Sequence, residues 1–374
     1  MKSLWFIAVT AGMVLAVASC GGGGSVSAPE TTVSDRPVAD PPSTGGNAPN
    51  VTKKPPVKVK PKPTYPNIQV NRNDIVHILF IGSDGRSEYS GKCWIKGARA
   101  DSLHIVSIDP KTGRGTILNI PRDSYVYIPG VGTRKINEAL VWGGPDLVEE
   151  TVERLTGIPI TYWMAITFCD LLDVVKRMNG IRVDVPYDLK DKYSIFWPKC
   201  AWSHYDKKYK RVVGIWDSKK RRVRGLTAGK NKLINGCEAL YFSRVRHGIP
   251  GGDFGRTANQ AEVLRGILAR VQERSKTPWG MWRTLKMLRQ EVSSNLRCEK
   301  SGMLSWLGVK FCKNYIALAN LARNVKASSL QSKTLSGYSA MRGSQSVVVL
   351  SSSNNDPNDA LFRDVRSDAV INGR

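Results

Sequence analysis

Residues 75–86 read IVHILFIGSDGR, a run of apolar and largely β-branched residues from Ile75 to Ile81 that stops at a glycine and opens into a polar loop. A run of that length and composition, bounded by turn residues, predicts a buried strand. Two similar runs follow, SLHIVSI over 102–108 and TILNI over 116–120. Each carries acidic and basic residues at one end: Arg99 and Asp101 before the first, Arg122 and Asp123 just after the second. Helical periods over about 145–155 and 168–178, the second closed by Asn179-Gly180, lead to a further strand at Ile181 to Val185. Strands alternating with helices indicate a layered α/β or α-β-α domain.

Downstream, YFSRVRHGIPGGDFGRTANQ (241–260) sets three arginines, one carboxylate and a run of glycines close together. That is the chemistry of a phosphate clamp. Arg244 and Arg246, two apart, point the same way only from extended or looped backbone. Gly251 and Gly252 allow a tight reversal, after which Asp253 is expected to cap a helix with Arg256 in its first turn and Gln260 one turn later. A cation in that first turn opposes the helix dipole unless an anion shares the same end. Gln260, Leu264, Ile267, Leu268 and Val271 then keep a helical period, as do Met281, Leu285, Leu288 and Val292. Near the end, SVVVL (346–350) reads as a strand and Asp356-Pro357 as a helix start. One domain is therefore expected from residue 73 to the last residues. Its basic, aromatic stretch at 191–224 reads as an insertion, suited either to an elaborated hairpin or to single-stranded nucleic acid.

The chain has 374 residues, and its 56 Lys+Arg against 31 Asp+Glu give a formal net charge of +25. Such an excess implies an anionic partner, whether nucleic acid, membrane surface or phosphorylated polymer. The first 20 residues, MKSLWFIAVTAGMVLAVASC, narrow the choice: a basic Lys2, an apolar run from Leu4 to Ala18 and small residues before Cys20 read as an export signal. The apolar run is shorter than the ~20 residues needed to span hydrocarbon, and Val17 to Cys20 resembles a bacterial lipobox, which would make Cys20 the lipidated residue. Export excludes nucleic acid as partner. Residues 21–72 are rich in Gly, Ser, Thr, Pro and Lys, with too little apolar surface to order them, and read as a tether. Six further cysteines in an exported chain suggest up to three disulfides, with Cys298 and Cys312 the preferred pair. No pair has the spacing of a zinc site.

Five segments in order, ILFIGSDGR (78–86), ARADSLHIVSID (98–109), ILNIPRDSYVYIPG (117–130), RKINEALVWGGP (134–145) and SRVRHGIPGGDFGRTANQ (243–260), resemble the LytR-CpsA-Psr family. The resemblance implies an α-β-α sandwich with a central mixed sheet and a hydrophobic lipid-binding pocket. It implies a phosphotransferase that moves a polyprenyl-pyrophosphate-linked glycopolymer onto peptidoglycan outside the cell, leaving a phosphodiester. Carried onto this sequence, it assigns a Mg²⁺ ion to Asp84 and Asp101. Catalysis falls to Asp101, Arg122, Arg244 and Arg246. Phosphate binding extends to Arg86, Arg99 and Arg256, with Asp253 and Gln260 orienting arginines. Asp123, Lys135 and Asn137 are expected to be structural, and His247 to adjoin the site. The helices over 263–271 and 281–292 are candidates to line the lipid tail's tunnel and equally candidates for ordinary core. A shell of arginines and Mg²⁺ would act by electrostatics and positioning while a wall sugar hydroxyl attacks phosphorus and polyprenyl phosphate leaves. The lipobox and tether depart from the family's usual transmembrane start. Two other readings stay open: a polyprenyl-pyrophosphate phosphatase or pyrophosphatase with water as acceptor, and a non-catalytic anionic-polymer-binding or regulatory protein.

Overall fold

The computed structural model describes residues 74–85, 93–189, 203–206, 211–217, 222–296, 321, 325, 330–351 and 357–371. The export signal with Cys20, the tether, Arg86, most of the 191–224 insertion and the Cys298/Cys312 pair lie outside the described residues. In chain order the strands are β1 (Val76–Ser83), β2 (Ala100–Ile108), β3 (Gly115–Ile120), β4 (Tyr125–Ile128), β5 (Gly132–Lys135), β6 (Tyr162–Thr167), β7 (Ile181–Val185), β8 (Ser203–Asp206), β9 (Arg211–Asp217), β10 (Arg222–Arg224), β11 (Gly229–Ile234), β12 (Ser293–Ser294), β13 (Leu330–Thr334), β14 (Gly337–Arg342) and β15 (Gln345–Leu350). The helices are α1 (Ala139–Thr156), α2 (Phe168–Arg177), α3 (Gly236–Arg244), α4 (Asp253–Arg274), α5 (Pro278–Glu291) and α6 (Pro357–Asp368).

Six strands form the central sheet in the order β12-β6-β1-β2-β3-β13. It is mixed: β1 runs parallel to β6 and antiparallel to β2, β2 and β3 are antiparallel, and β13 is parallel to β3. Both faces are covered, which explains why β1, β2 and β3 read as nearly continuous apolar runs and not as alternating ones. One face, with Leu79, Ile81, Leu103, Ile105, Leu118 and Ile120, packs against α1, α6 and the β4–β5 hairpin. The other face, with Ile78, Val106, Ile108 and Ile117, packs against Ala261 and Leu264 of α4. A second core joins α2, α3, α4 and the antiparallel β7–β11 pair. Within the insertion, β8, β9 and β10 form an antiparallel meander, the hairpin alternative of the two readings.

Local chemistry sets the helix ends. A capping box of Thr167 and Asp170 starts α2, and Asn179 (φ 58°) and Gly180 (φ 89°) turn the chain back into β7 through left-handed backbone. A second capping box, Asn235 with Glu238, starts α3. The expected helix over 145–155 is only the latter part of α1, whose backbone leaves helical geometry at Gly144, just ahead of Pro145. Two expectations for the arginine segment need correction. Arg244 is the last residue of α3, not part of a loop. Asp253 does not cap α4: Gly252, at φ 52°, occupies that position, and Asp253 is the first helical residue. With its side chain freed from capping, Asp253 turns to the arginines instead.

A disulfide joins Cys93, in the segment between β1 and β2, to Cys169 in the first turn of α2. Cys237 is disulfide-bonded as well. Among the described residues no helix is long and apolar enough to cross a membrane.

Candidate active site

The site gathers where β1 ends, β2 begins and β3 ends, and a register shift places its central carboxylate. Gly82 pairs with Ser102 and Ser83 pairs with Ala100, so Asp101 is the extra residue of a β-bulge. A bulge re-aims the side chain it carries. Strict alternation would put Asp101 on the α1 face beside Leu103, yet it lines a cavity on the α4 face together with Ser102. Gly82 is needed opposite, since a Cβ there would lie 2.3 Å from Ser102 Oγ. The bulge is tied down from the helical layer: Gln260 of α4, buried, donates from Nε2 to the main-chain oxygen of Asp101 at 3.2 Å.

Around Asp101 the arginines close in. Arg122, just past β3, donates from Nη1 to Asp101 Oδ1, and its Nε lies 3.5 Å from Asp123 Oδ2. Asp123 in turn meets Lys135 Nζ at 3.2 Å. Arg256, only 2% exposed, donates from Nη2 to Asp253, 2.7 Å from Oδ1 and 2.9 Å from Oδ2. Arg246 Nε lies 3.6 Å from the same carboxylate. Arg244 stacks its guanidinium over the Phe168 ring at 4.2 Å, and Phe168 and Ser243 both line the cavity. Helix geometry explains this pose, because Arg244 closes α3 and Phe168 opens α2, two helices that pack together. A cation at the C-terminal end of α3 also suits the dipole there.

Burial would push the Asp101 carboxyl up, but Arg256, Arg122 and Arg244 more than offset it and hold it below the usual carboxylate range. Burial also opposes the charge of Arg122, which Asp101, Asp123 and Asp253 restore and raise. For Arg256 burial prevails and lowers it, although a guanidinium stays charged at any working pH. Among the described residues, five linked cations (Arg122, Lys135, Arg244, Arg246, Arg256) thus face three carboxylates (Asp101, Asp123, Asp253). A positive excess in a partly desolvated cleft favours an anion, and planar guanidinium forks fit phosphate oxygens.

Behind the arginines lies the apolar cavity, about 240 Å³. It is walled by Ile78 and Phe80 of β1, Met164 and Ile166 of β6, Leu264 and Ile267 of α4, and Leu285 and Leu288 of α5. Its lining runs along α4 from Gln260 to Ser275, the residue that caps the helix, a length of ~22 Å at helical rise. His104 is one of the polar residues in the wall: Nδ1 bonds Asn119 Oδ1 at 2.9 Å, and burial lowers its pKa to about 4, so it is neutral at pH 7. Asp101 lines this cavity beside Ser102 and Gln260 and at the same time pairs with the arginines of the charged cleft.

The remaining expected residues are placed as follows. Asp84, half-buried, accepts the Arg99 main-chain N–H on Oδ1 at 2.8 Å, and its own N–H donates to the Arg99 carbonyl at 3.0 Å. These bonds pin the loops at this end of β1 and β2, while the Arg99 side chain is exposed. Gln260 contacts the Asp101 backbone instead of an arginine. Asn137 Nδ2 reaches Asp123 at 3.5 Å, and His247 lies exposed in the turn beyond α3. Phe168 was not foreseen in the sequence, since nothing local ties it to an arginine 76 positions later. The start of α3 was readable from Asn235 and Glu238.

For a metal, the donors to consider are the carboxylates at this end of the sheet. Among the described residues no group of three or more His, Cys, Asp or Glu could hold an ion. Asp84 and the anionic Asp101 are hard oxygen donors, which fit a Mg²⁺ that keeps water and takes its other ligands from phosphate.

The model of the LytR_cpsA_psr family matches residues 45–360 of this chain. The chain belongs to the LytR_cpsA_psr family. Among relatives, the polyisoprenyl-teichoic acid--peptidoglycan teichoic acid transferase TagU of Bacillus subtilis is 30% identical over 212 residues, which is 56% of this chain and 56% of TagU. The match thus spans little more than half of that relative. The crystal structure of B. subtilis TagV superposes with a TM-score of 0.57 at 24% identity, covering 81% of this chain and 99% of TagV. A structure of TagT bound to LI-WTA covers 79% of this chain and 89% of TagT, with a TM-score of 0.52 and 25% identity. The LytR_cpsA_psr fold therefore accounts for the six-stranded mixed sheet and its helical layers.

Proposed function

We propose that this protein is a phosphotransferase that moves a polyprenyl-pyrophosphate-linked glycopolymer onto peptidoglycan, outside the cell, leaving a phosphodiester. One observation carries the reading: Asp101 belongs at once to the arginine cluster and to the mouth of an apolar cavity. A polyprenyl pyrophosphate has that same composition, a multiply charged head joined to a long hydrocarbon tail. The name of the TagU relative, with polyisoprenyl-teichoic acid as donor and peptidoglycan as acceptor, supports it.

In this reading the tail enters the cavity along α4, and the pyrophosphate meets Arg122, Arg244, Arg246 and Arg256. Their charges are fixed before substrate arrives, so they stabilise negative charge building on the phosphoryl oxygens without reorganising. Asp101, Asp123 and Asp253 keep the guanidiniums apart and oriented. A sugar hydroxyl of the wall attacks the phosphorus that bears the glycan, the P–O bond to the polyprenyl-linked phosphate breaks, and polyprenyl phosphate leaves with the bonding pair, the hydroxyl's proton passing to it or to water. Asp84 and Asp101 would hold Mg²⁺, which supplies further charge neutralisation on the pyrophosphate. The export signal read from the sequence supports an extracytoplasmic place facing the wall, where Cys20, lipidated in this reading, would attach the chain to the membrane.

The test incubates the full chain with a short polyprenyl-pyrophosphoryl oligosaccharide and peptidoglycan fragments, with and without Mg²⁺. Phosphodiester product is expected from wild type with Mg²⁺, and a loss of at least about a hundredfold in Arg122→Ala and Arg244→Ala, each of which removes a donor to the transition state. Free sugar phosphate as the sole product, with acceptor present, would replace the ligase reading by hydrolysis. Polymer binding that tracks salt alone, with neither product, would leave only an anion binder.

A further inference from the structure

The outward side of α5 carries chemistry that the site does not use. Trp279 is 60% exposed, and its indole stacks on that of Trp282 with ring centroids 4.9 Å apart. The Arg283 guanidinium lies over Trp279 at 5.0 Å and the Lys286 ammonium over Trp282 at 5.1 Å. Spacings of three and four residues put these four side chains on one side of the helix. Leu285 and Leu288 fall on the other side, where they wall the apolar cavity. The charge on α5 is one-sided too: its one acid, Glu291, sits at the far end in an ion pair with Arg177 at 2.6 Å.

An indole has an apolar body and one polar N–H, which suits the boundary between hydrocarbon and headgroups. Arginine and lysine beside it suit an anionic lipid surface. A wall sugar would need an open ring face to stack on, whereas each of these rings already has the other ring and a cation as neighbours. We propose that α5 is a membrane-docking face, with Trp279 and Trp282 at the interfacial level of an anionic bilayer and Arg283 and Lys286 on lipid phosphates. This rests on the reading of the site as one for a lipid-linked substrate. Docked in this way, α5 would hold the cavity that its Leu285 and Leu288 wall close to the bilayer that carries a polyprenyl substrate.

The experiment places the full chain on phosphatidylglycerol vesicles with brominated acyl chains, which quench tryptophans in contact with the bilayer. Compared with wild type, W279F/W282F is expected to lose at least about half of the quenchable emission, and R283Q/K286Q to need roughly twenty-fold more lipid for the same quenching at the pair. Phosphatidylcholine vesicles should leave the pair unquenched. Equal quenching in wild type and W279F/W282F overturns the proposal, and so does equal quenching by both lipids. An emission change at the pair with soluble peptidoglycan fragments but not with vesicles would make it a glycan platform and overturn it as well. Transfer to acceptor with a short-chain substrate, measured on the same variants, should be unchanged. Vesicle quenching needs no substrate, so a failure of docking and a failure of the transfer reading are seen separately.

Discussion

Gln260 of α4 reaches across to β2 and donates from Nε2 to the main-chain oxygen of Asp101 at 3.2 Å. The bond crosses 159 positions of sequence and fixes the one residue of β2 that the β1 register leaves unmatched. Gln260→Leu keeps the volume but removes this donor from the Asp101 carbonyl, a cost of about 1–3 kcal/mol. Because Asp101 would then shift against Arg122, phosphodiester formation is expected to fall by about tenfold or more, beyond what the lost stability accounts for. Urea denaturation and initial rates on the same preparation check both parts. Unchanged rates would show that the bulge does not position the carboxylate.

Asp253 is the carboxylate that a buried guanidinium hydrogen-bonds. Asp253→Asn removes it and leaves Arg256 the charge of Asp101, and breaking such a pair costs about 3–5 kcal/mol. The side chain of Asp253 is 19% exposed, so a value near the lower end is expected. The denaturant midpoint should fall with little change in slope, and added salt should not restore it.

The cavity should measure its substrate. Ile267→Trp projects a larger ring into the apolar lining of α4, filling space that the proposed tail would occupy. Transfer from a long polyprenyl donor should drop at least about tenfold while a donor with one or two isoprene units is nearly unaffected, and a modest stability change of about 1–3 kcal/mol is expected from overpacking. Equal loss with both donors would place the tail elsewhere.

Two buried histidines set an acid limit. Burial lowers both His77, bonded through Nδ1 to Ser107 Oγ at 2.7 Å, and His104 from the ordinary 6.5 to about 4. Between those values the unfolded chain binds protons that the folded chain does not, so stability is complete above pH 6.5 and falls as pH drops towards 4. Each site contributes about 3 kcal/mol to that loss. Melting curves from pH 7.5 to 4.5 should decline, and His104→Met should flatten the decline. His104 is the better test, since a second N–H on its ring would find no acceptor among the described residues.

Much of this architecture was readable from residue order. The apolar runs of β1, β2 and β3 and the periodic faces of α4 and α5 lie where hydrophobic patterning puts them, because both sheet faces and one stripe of each helix are buried. β6 escaped notice although YWMAIT is apolar enough for a strand; its neighbours Trp163 and Met164 are only half-buried and give no alternation. β13, LQSKT, is mostly polar and owes its place to pairing with β3 across more than two hundred residues, a long-range term that local propensity does not contain. In the site, the acidic and basic residue types were legible, and their partnerships were not. Arg256 looked like a cation set against a helix dipole, whereas its charge is answered by Asp253 one turn earlier and by Asp101 from another element. The Asp101 bulge left no mark in composition, since it arises from how two strands align.

Among the described residues the sheet ends on one side in two residues, Ser293–Ser294, and on the other in a strand whose exposed positions include Ser332 and Lys333. An exposed ladder is where one molecule recruits another and aggregation begins. A two-residue edge is too short to serve as a template, and a lysine on the opposite edge penalises an incoming strand with its own desolvation. β1 and β2 lie two places inside those borders, so strand-by-strand growth cannot start on β2, which carries Asp101, or on β1, which leads into Asp84.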